Sequence, residues 1–479
     1  MWRMVLVAVL IANGLAADPA NAVEFPGQSV LLLSRSATGE PANAPASDPV
    51  ISQDRRFGRL VAFASAATNL VAGAGGGSNV YVVGRAAGYG ENGTPWGFGH
   101  IRLVSRGRSG QPANGPSGAP SLGGTSRVPS RCVAFVSAAS NLVPGDTNGR
   151  PDAFVHDLHT GRTIRVSVDS RGRQSDGTVS EVAVNGLCTR VAFVSDGGDL
   201  ALTSTRKRSW RSAVTRSSPP GRRQVYLRAV GGSRGIDRAL RGLTFLASAA
   251  GRRPGNGDSY DISYAINSRA LTFASDATNL AAGDTNGLAD VFQRVMVRSY
   301  GVRIDGRRAQ HLRMATRLVS QTGSGRPGSG ASRGPASNVD GSVVAYVTTA
   351  PDLIGGASHG APQVVRATVR GSNVERELAS RTDAGAAGAG PSGAPSVTAK
   401  GDWVFFQTAA PNVAWDSGRG ADVNGVQDVA FYLQADLSRR LLARTGATSP
   451  SSNPSTSPHG NYVVFERAGQ VWLNYVGPK

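Results

Sequence analysis

Apolar residues along this chain fall in short blocks bounded by Gly, Pro, Asn or Asp, with no long helical stripe. The most regular block is six residues long, rich in Val and Ala, and carries an aromatic at its fourth position. It occurs as LVAFAS (60–65), CVAFVS (132–137), RVAFVS (190–195), ALTFAS (270–275), VVAYVT (343–348), WVFFQT (403–408) and YVVFER (462–467). The aligned aromatics are Phe63, Phe135, Phe193, Phe273, Tyr346, Phe406 and Phe465, spaced by 72, 58, 80, 73, 60 and 59 residues. Short β-branched and aromatic runs between turn residues predict strands, and near-continuous apolarity predicts burial on both faces.

A second block follows each of the first six: an apolar strand ending in Ser or Ala, then a turn rich in Arg, Gly, Pro or Ser. Examples are IRLVSRGRSGQPANG (101–115), IRVSVDSRGRQSDG (164–177) and TRLVSQTGSGRPGSG (316–330). The seventh copy, VLLLSRSATGEPANAP (30–45), stands at the other end of the chain. The chain thus begins with the last strand of a unit and ends with the earlier strands of one. Segments 28–36 and 455–476 are expected to complete each other, which removes two open sheet edges. The prediction is an all-β fold: a closed seven-bladed β-propeller, its ring fastened by N- and C-terminal strands sharing one blade.

The segments PASNVDGSVVAYV (335–347), PSVTAKGDWVFFQ (395–407) and PSTSPHGNYVVFE (454–466) resemble the TolB-type, WD-like propeller repeat, which runs Ser-x-Asp-Gly, a short gap, then an apolar strand. Asp340-Gly341 keeps the Asp-Gly pair; Lys400-Gly401 and His459-Gly460 replace it. The resemblance covers nearly all of residues 23–479 and implies a periplasmic, cell-envelope or secreted binding scaffold. It does not imply a role in the Tol system, since a counterpart of the N-terminal domain of TolB is not expected before residue 28.

Residues 1–22 read as a secretory signal peptide: Arg3, the apolar run 5–12, and Ala20-Asn21-Ala22 as cleavage pattern. The run is too short for a membrane span, so no transmembrane segment is expected after cleavage. The chain is then one propeller domain, 23–479, secreted, periplasmic or at the cell surface, and monomeric. Its 479 residues include 62 Gly and 26 Pro, as many tight turns require, and 40% apolar residues, enough for a core. The net charge is +19, carried almost wholly by Arg, which favours anionic partners. Specific nucleic-acid binding is not expected.

Candidate chemistry is sparse. Asp-x-Asn-Gly-x-x-Asp occurs three times, as Asp146, Asn148 and Asp152; Asp284, Asn286 and Asp290; and Asp422, Asn424 and Asp428. Alternating oxygens around a Gly turn suit calcium, but the late bidentate Glu of a full calcium loop is missing. The same residues also suit Asx turns with no metal. Cys132 and Cys188 sit at or beside equivalent strands of neighbouring repeats, so a disulfide and a pair of buried thiols are both open. An insertion at 203–223 holds Arg206, Lys207, Arg208, Trp210 and Arg211, which could clamp an anionic polymer by charge and stacking. A basic stretch at 298–313 reads as an extended hairpin, and His156 and His159 as surface residues.

Gly231–Gly235 and Gly330–Gly334 match nucleophile-elbow spelling but lack its strand and helix, and Gly88-x-Gly90-x-x-Gly93 lacks the helix of a dinucleotide site. Asp54, Asp340 and Asp402 precede equivalent strands, where a turn explains them. The expected function is therefore an exported, non-catalytic scaffold that binds a protein or an anionic cell-envelope polymer through loops at one mouth. The alternatives are a glycan hydrolase or lyase acting in the central channel, and an accessory propeller for a peptidase on another chain.

Overall fold

The computed structural model describes residues 30–54, 58–86, 96–200, 220–232, 240–251, 253–304, 307–355, 360–382, 384–413, 424–434 and 448–476. It is nearly all β, arranged as seven antiparallel blades around a channel. Blade 1 runs outward from the channel as Ala46–Ile51, Leu60–Ser65, Asn79–Arg85 and Phe98–Leu103. Blade 2 is Ser117–Leu122, Cys132–Ser137, Asp152–Asp157 and Thr163–Arg165. Blade 3 is Val179–Val184, Arg190–Ser195, Gln224–Ala229 and Thr244–Leu246. Blade 4 is Ser259–Tyr264, Ala270–Ser275, Asp290–Ile304 and Arg307–Leu318, and its last two strands form the long hairpin expected at 298–313. Blade 5 is Ser332–Ser337, Val343–Thr348, Gln363–Arg370 and Asn373–Leu378. Among the described residues blade 6 has Ser392–Val397, Trp403–Thr408 and Asp428–Leu433.

Blade 7 closes the ring. Ser451–Thr456, Tyr462–Arg467 and Gln470–Tyr475 come from the C-terminal end, and Val30–Leu32 pairs with the last of them. Every blade therefore uses a recurring six-residue block as its second strand. The seven aromatics are buried, and four stack on an aromatic of the third strand: Phe63 on Tyr81, Phe135 on Phe154, Phe193 on Tyr226 and Phe273 on Phe292, at 5.6 to 6.1 Å. Such pairs add about 1 kcal/mol beyond area burial.

The turn after each outer strand has a job as well. In five of the described turns it closes on itself through one isolated bridge, such as Arg106 to Pro112 or Gln321 to Pro327, and in blade 3 through a short two-stranded ladder. It then docks on the loop between the second and third strands of the next blade. Asn114 and Asn141 make that clasp in blade 2, and Asn256 with Asn279 repeats it in blade 4. The opposite face is stitched between blades by turn backbones: Gly124 N–H donates to Gly186 O, Gly186 N–H to Ile266 O, Asn267 N–H to Val339 O, and Ala399 N–H to Pro458 O. Cys132 and Cys188 form a disulfide on this face, joining blades 2 and 3, with Cα atoms 6.1 Å apart.

Candidate functional site

The first residue of each third strand is polar, buried in blades 1 to 6 and half-buried in blade 7, and it shows what the Asp-x-Asn-Gly loops do. In blades 3 and 5 it is Gln. Gln224 Nε2 donates to Gly257 O at 2.9 Å, while its Oε1 accepts from Ser248 Oγ at 2.6 Å. Gln363 does the same with Gly390 O and Ser380 Oγ. In blades 2 and 4 an Asp–Asn pair performs both halves. Asp152 Oδ1 accepts from Ser167 Oγ, and Asn148 Nδ2 donates to Ser175 O. Asp290 Oδ1 accepts from Ser320 Oγ, and Asn286 Nδ2 donates to Gly328 O. Each Asn Oδ1 also caps the N–H two residues on, an Asx turn.

The two loops differ in charge. In blade 2 the Arg165 guanidinium lies 3.2 Å from Asp146 and 3.5 Å from Asp152, and Gln174 donates to both carboxylates at 2.8 and 3.0 Å. Burial pushes Asp152 up, and Ser167, Gln174 and Arg165 pull it back. In blade 4 burial pushes Asp290 up to about 6, with the Asp284 charge adding to it.

The channel is lined by the inner strands of all seven blades and encloses a cavity of about 340 Å³. Its described lining is neutral: Ile51, Ser121, Val184, Tyr264, Ser337 and Pro454 are typical. Ser121, Ser263, Ser396 and Ser455 Oγ each accept a backbone N–H from the neighbouring blade, so the channel hydroxyls serve the ring itself. At the mouth, Glu181 accepts the N–H groups of Asp261 and Ile262, and Asp261 accepts that of Gly334. Tyr260 lies between the Arg223 and Arg333 guanidiniums, 4.8 and 5.8 Å from its ring centre, and donates to Asp276.

A larger cavity, about 700 Å³, runs along the outer strand of blade 2. Arg106, Arg108, Arg162, Arg165 and Arg228 line it, and no carboxylate does. Arg106, Arg108 and Arg162 are exposed, whereas Arg228 is tied to Val168 O, Asp169 O and Thr244 Oγ1. The local field is visible at His156, which burial, Arg106 and Arg102 hold down at about 4. His156 corrects the surface reading of the sequence: it is 4% exposed and its Nδ1 meets Thr163 Oγ1, because it faces inward on a strand flanked on both sides; His159 is exposed.

No family model matches the chain, and no curated protein matches it significantly. Solved structures do. A TolB structure from Agrobacterium tumefaciens superposes with a TM-score of 0.34 at 12% identity, covering 79% of this chain and 95% of that one. TolB from Acinetobacter baumannii gives 0.34 at 12% identity, covering 77% and 80%. A puromycin-hydrolyzing peptidase from Mycobacterium tuberculosis gives 0.45 at 11% identity, covering 90% of this chain but only 53% of the peptidase. At these identities the likeness concerns the fold, which the blade count and the shared closing blade establish by themselves. The fold is a seven-bladed β-propeller.

In this propeller the predicted site residues separate. Asp146, Asn148 and Asp152 come together in blade 2, and Asp284, Asn286 and Asp290 in blade 4. In blade 6 Asn424 meets Asp428 at 3.3 Å, and Asp422 lies outside the described residues. Arg206, Lys207, Arg208, Trp210 and Arg211 also lie outside them, as do residues 1–22. Asp54, Asp340 and Asp402 cap their turns through Ser52, Ser342 and Thr398. Among the described residues no helix is long and apolar enough to cross a membrane. Sequence reasoning missed the blade 2 cleft, whose arginines lie up to 122 residues apart, Arg106 to Arg228. The one available signal was the Arg-rich turn of the second repeat block.

Proposed function

We propose that this chain is an exported, non-catalytic propeller scaffold that holds an anionic polymer of the cell envelope in the basic cleft of blade 2. The carrying observation is that cleft: three exposed arginines, Arg106, Arg108 and Arg162, around about 700 Å³ with no carboxylate in the lining. Guanidiniums pair with phosphate or carboxylate in two-pronged fashion, and closely spaced cations raise the local concentration of a polyanion. The neutral channel supports binding over glycan hydrolysis, which needs two facing carboxylates. The clasped loops and closed ring supply a rigid support on which exposed Arg side chains act as point contacts.

The test is binding of the mature chain to long-chain polyphosphate and to poly-glutamate, against Arg106→Glu/Arg108→Glu/Arg162→Glu. These side chains are exposed, so the fold should tolerate the change. The expected result is a loss of affinity of about tenfold or more, with binding by the parent weakening as salt rises. Equal affinity of parent and variant would remove the cleft from the reading. Capture of an acidic protein with no polymer binding would replace polymer by protein as the partner.

A further inference from the structure

The Asp-x-Asn-Gly loop of blade 4 lacks both groups that neutralise its counterpart in blade 2. Ser167 and Ser320 set the register, since each donates to the strand Asp of its own blade. Two residues before them stand Arg165 and Leu318; seven residues after stand Gln174 and Pro327. The bridges Val168 to Gln174 and Gln321 to Pro327 confirm the alignment. The guanidinium and the amide that hold Asp146 are thus replaced by two groups with no N–H to offer.

Asp284 is left buried without a counter-charge. Only 5% of its surface reaches solvent, and its Oδ1 has no donor among the described residues. Asp290, six residues on, is fully buried as well. Two buried carboxylates with no counter-charge are costly, and an unpaired buried oxygen is a common mark of a missing ion.

We infer that a hard divalent cation, with calcium the best match, binds between the Asp284 and Asp290 carboxylates, where the Arg165 guanidinium stands in blade 2. Oxygen donors suit such an ion, and backbone carbonyls and water complete its shell. Asn286 is not a ligand: its Nδ2 serves Asp290 Oδ2 and Gly328 O, and its Oδ1 takes the Leu288 N–H. Among the described residues no third His, Cys, Asp or Glu joins a metal-holding group, so the site is weak, with a Kd of about 10⁻⁴ to 10⁻³ M, as extracellular modules have. Blade 2 carries its own cation and binds none.

The experiment is calcium titration of the full mature chain by calorimetry at neutral pH, with the thermal midpoint followed in parallel. Asp284→Asn and Asp146→Asn are the paired variants, both near-isosteric. The expected result is calcium binding and a raised midpoint, abolished or weakened about tenfold or more in Asp284→Asn and retained in Asp146→Asn. No heat and no shift in the parent overturns the inference, as does binding that survives Asp284→Asn or disappears in Asp146→Asn. A parent stabilised by acid and indifferent to calcium assigns the pair a shared proton instead, and also overturns it.

Discussion

Breaking the Cys132–Cys188 bond should cost this propeller about 4 kcal/mol. The two residues are 56 apart in sequence and join the second strand of blade 2 to the inner turn of blade 3. Closing a loop of about that length in the unfolded chain removes about 14 cal/mol/K, or about 4 kcal/mol at 25 °C. A cooperative unit of about 450 residues unfolds with an entropy near 1 kcal/mol/K, so the midpoint should fall by about 4 °C. Replacing Cys188 is a poor way to see this. Its side chain also packs against the core between blades 2 and 3, so removing the sulfur would lose packing besides the bond. The cleaner comparison is parent protein refolded under oxidising conditions against parent unfolded, reduced and refolded with reductant. Thermal unfolding by circular dichroism reads the difference. Equal midpoints would refute the reasoning, since the entropy belongs to the unfolded chain and does not depend on how well blades 2 and 3 already pack. The site also explains Gly123: a Cβ there would stand 2.6 Å from Cys188 Sγ.

Two further outcomes test the buried polar groups. His156 keeps a folded pKa of about 4 against an ordinary 6.5. Between those values the unfolded chain takes a proton that the folded chain refuses, so stability falls as pH drops from about 6.5 to 4, by about 3 kcal/mol in full. His156→Gln should remove that part of the slope in urea midpoints measured across this range, and an unchanged slope would count against burial as its cause. Gln363→Glu turns a donor facing Gly388 O and Gly390 O into a carboxylate at a fully buried position. The expected loss is about 3 kcal/mol at pH 7, shrinking as acid protonates the Glu; an equal loss at pH 7 and pH 4 would show that packing, not charge, is responsible.

Much of the ring was readable because its signals are local and repeated. Each second strand announces itself within six residues, and the aromatic at its fourth position recurs because every blade buries a large side chain there. The Asp-x-Asn-Gly motif was equally visible, but its meaning was not. Asn148 and Asn286 look like ligands in sequence, yet their amides reproduce the donor that Gln224 and Gln363 supply from one side chain. That equivalence lies across loops 27 to 42 residues apart. His156 was misread for a related reason, because its exposure depends on which strands flank it.

The sequence by itself determined the strands, the count of seven blades and the closure, since displaced repeat halves at the two ends can be satisfied only by each other. The Ser34 to Gln470 hydrogen bond, 436 residues apart, is that closure at atomic scale. The tertiary structure alone decided which charges are neutralised. Arg165 reaches back to Asp146 and Asp152, Leu318 leaves Asp284 alone, and Arg106 and Arg228 converge on one cleft. Hydrophobic periodicity is a property of neighbouring residues and survives in any one repeat. Electrostatic pairing depends on distances of a few ångströms between loops of different repeats, and only the folded ring sets those distances.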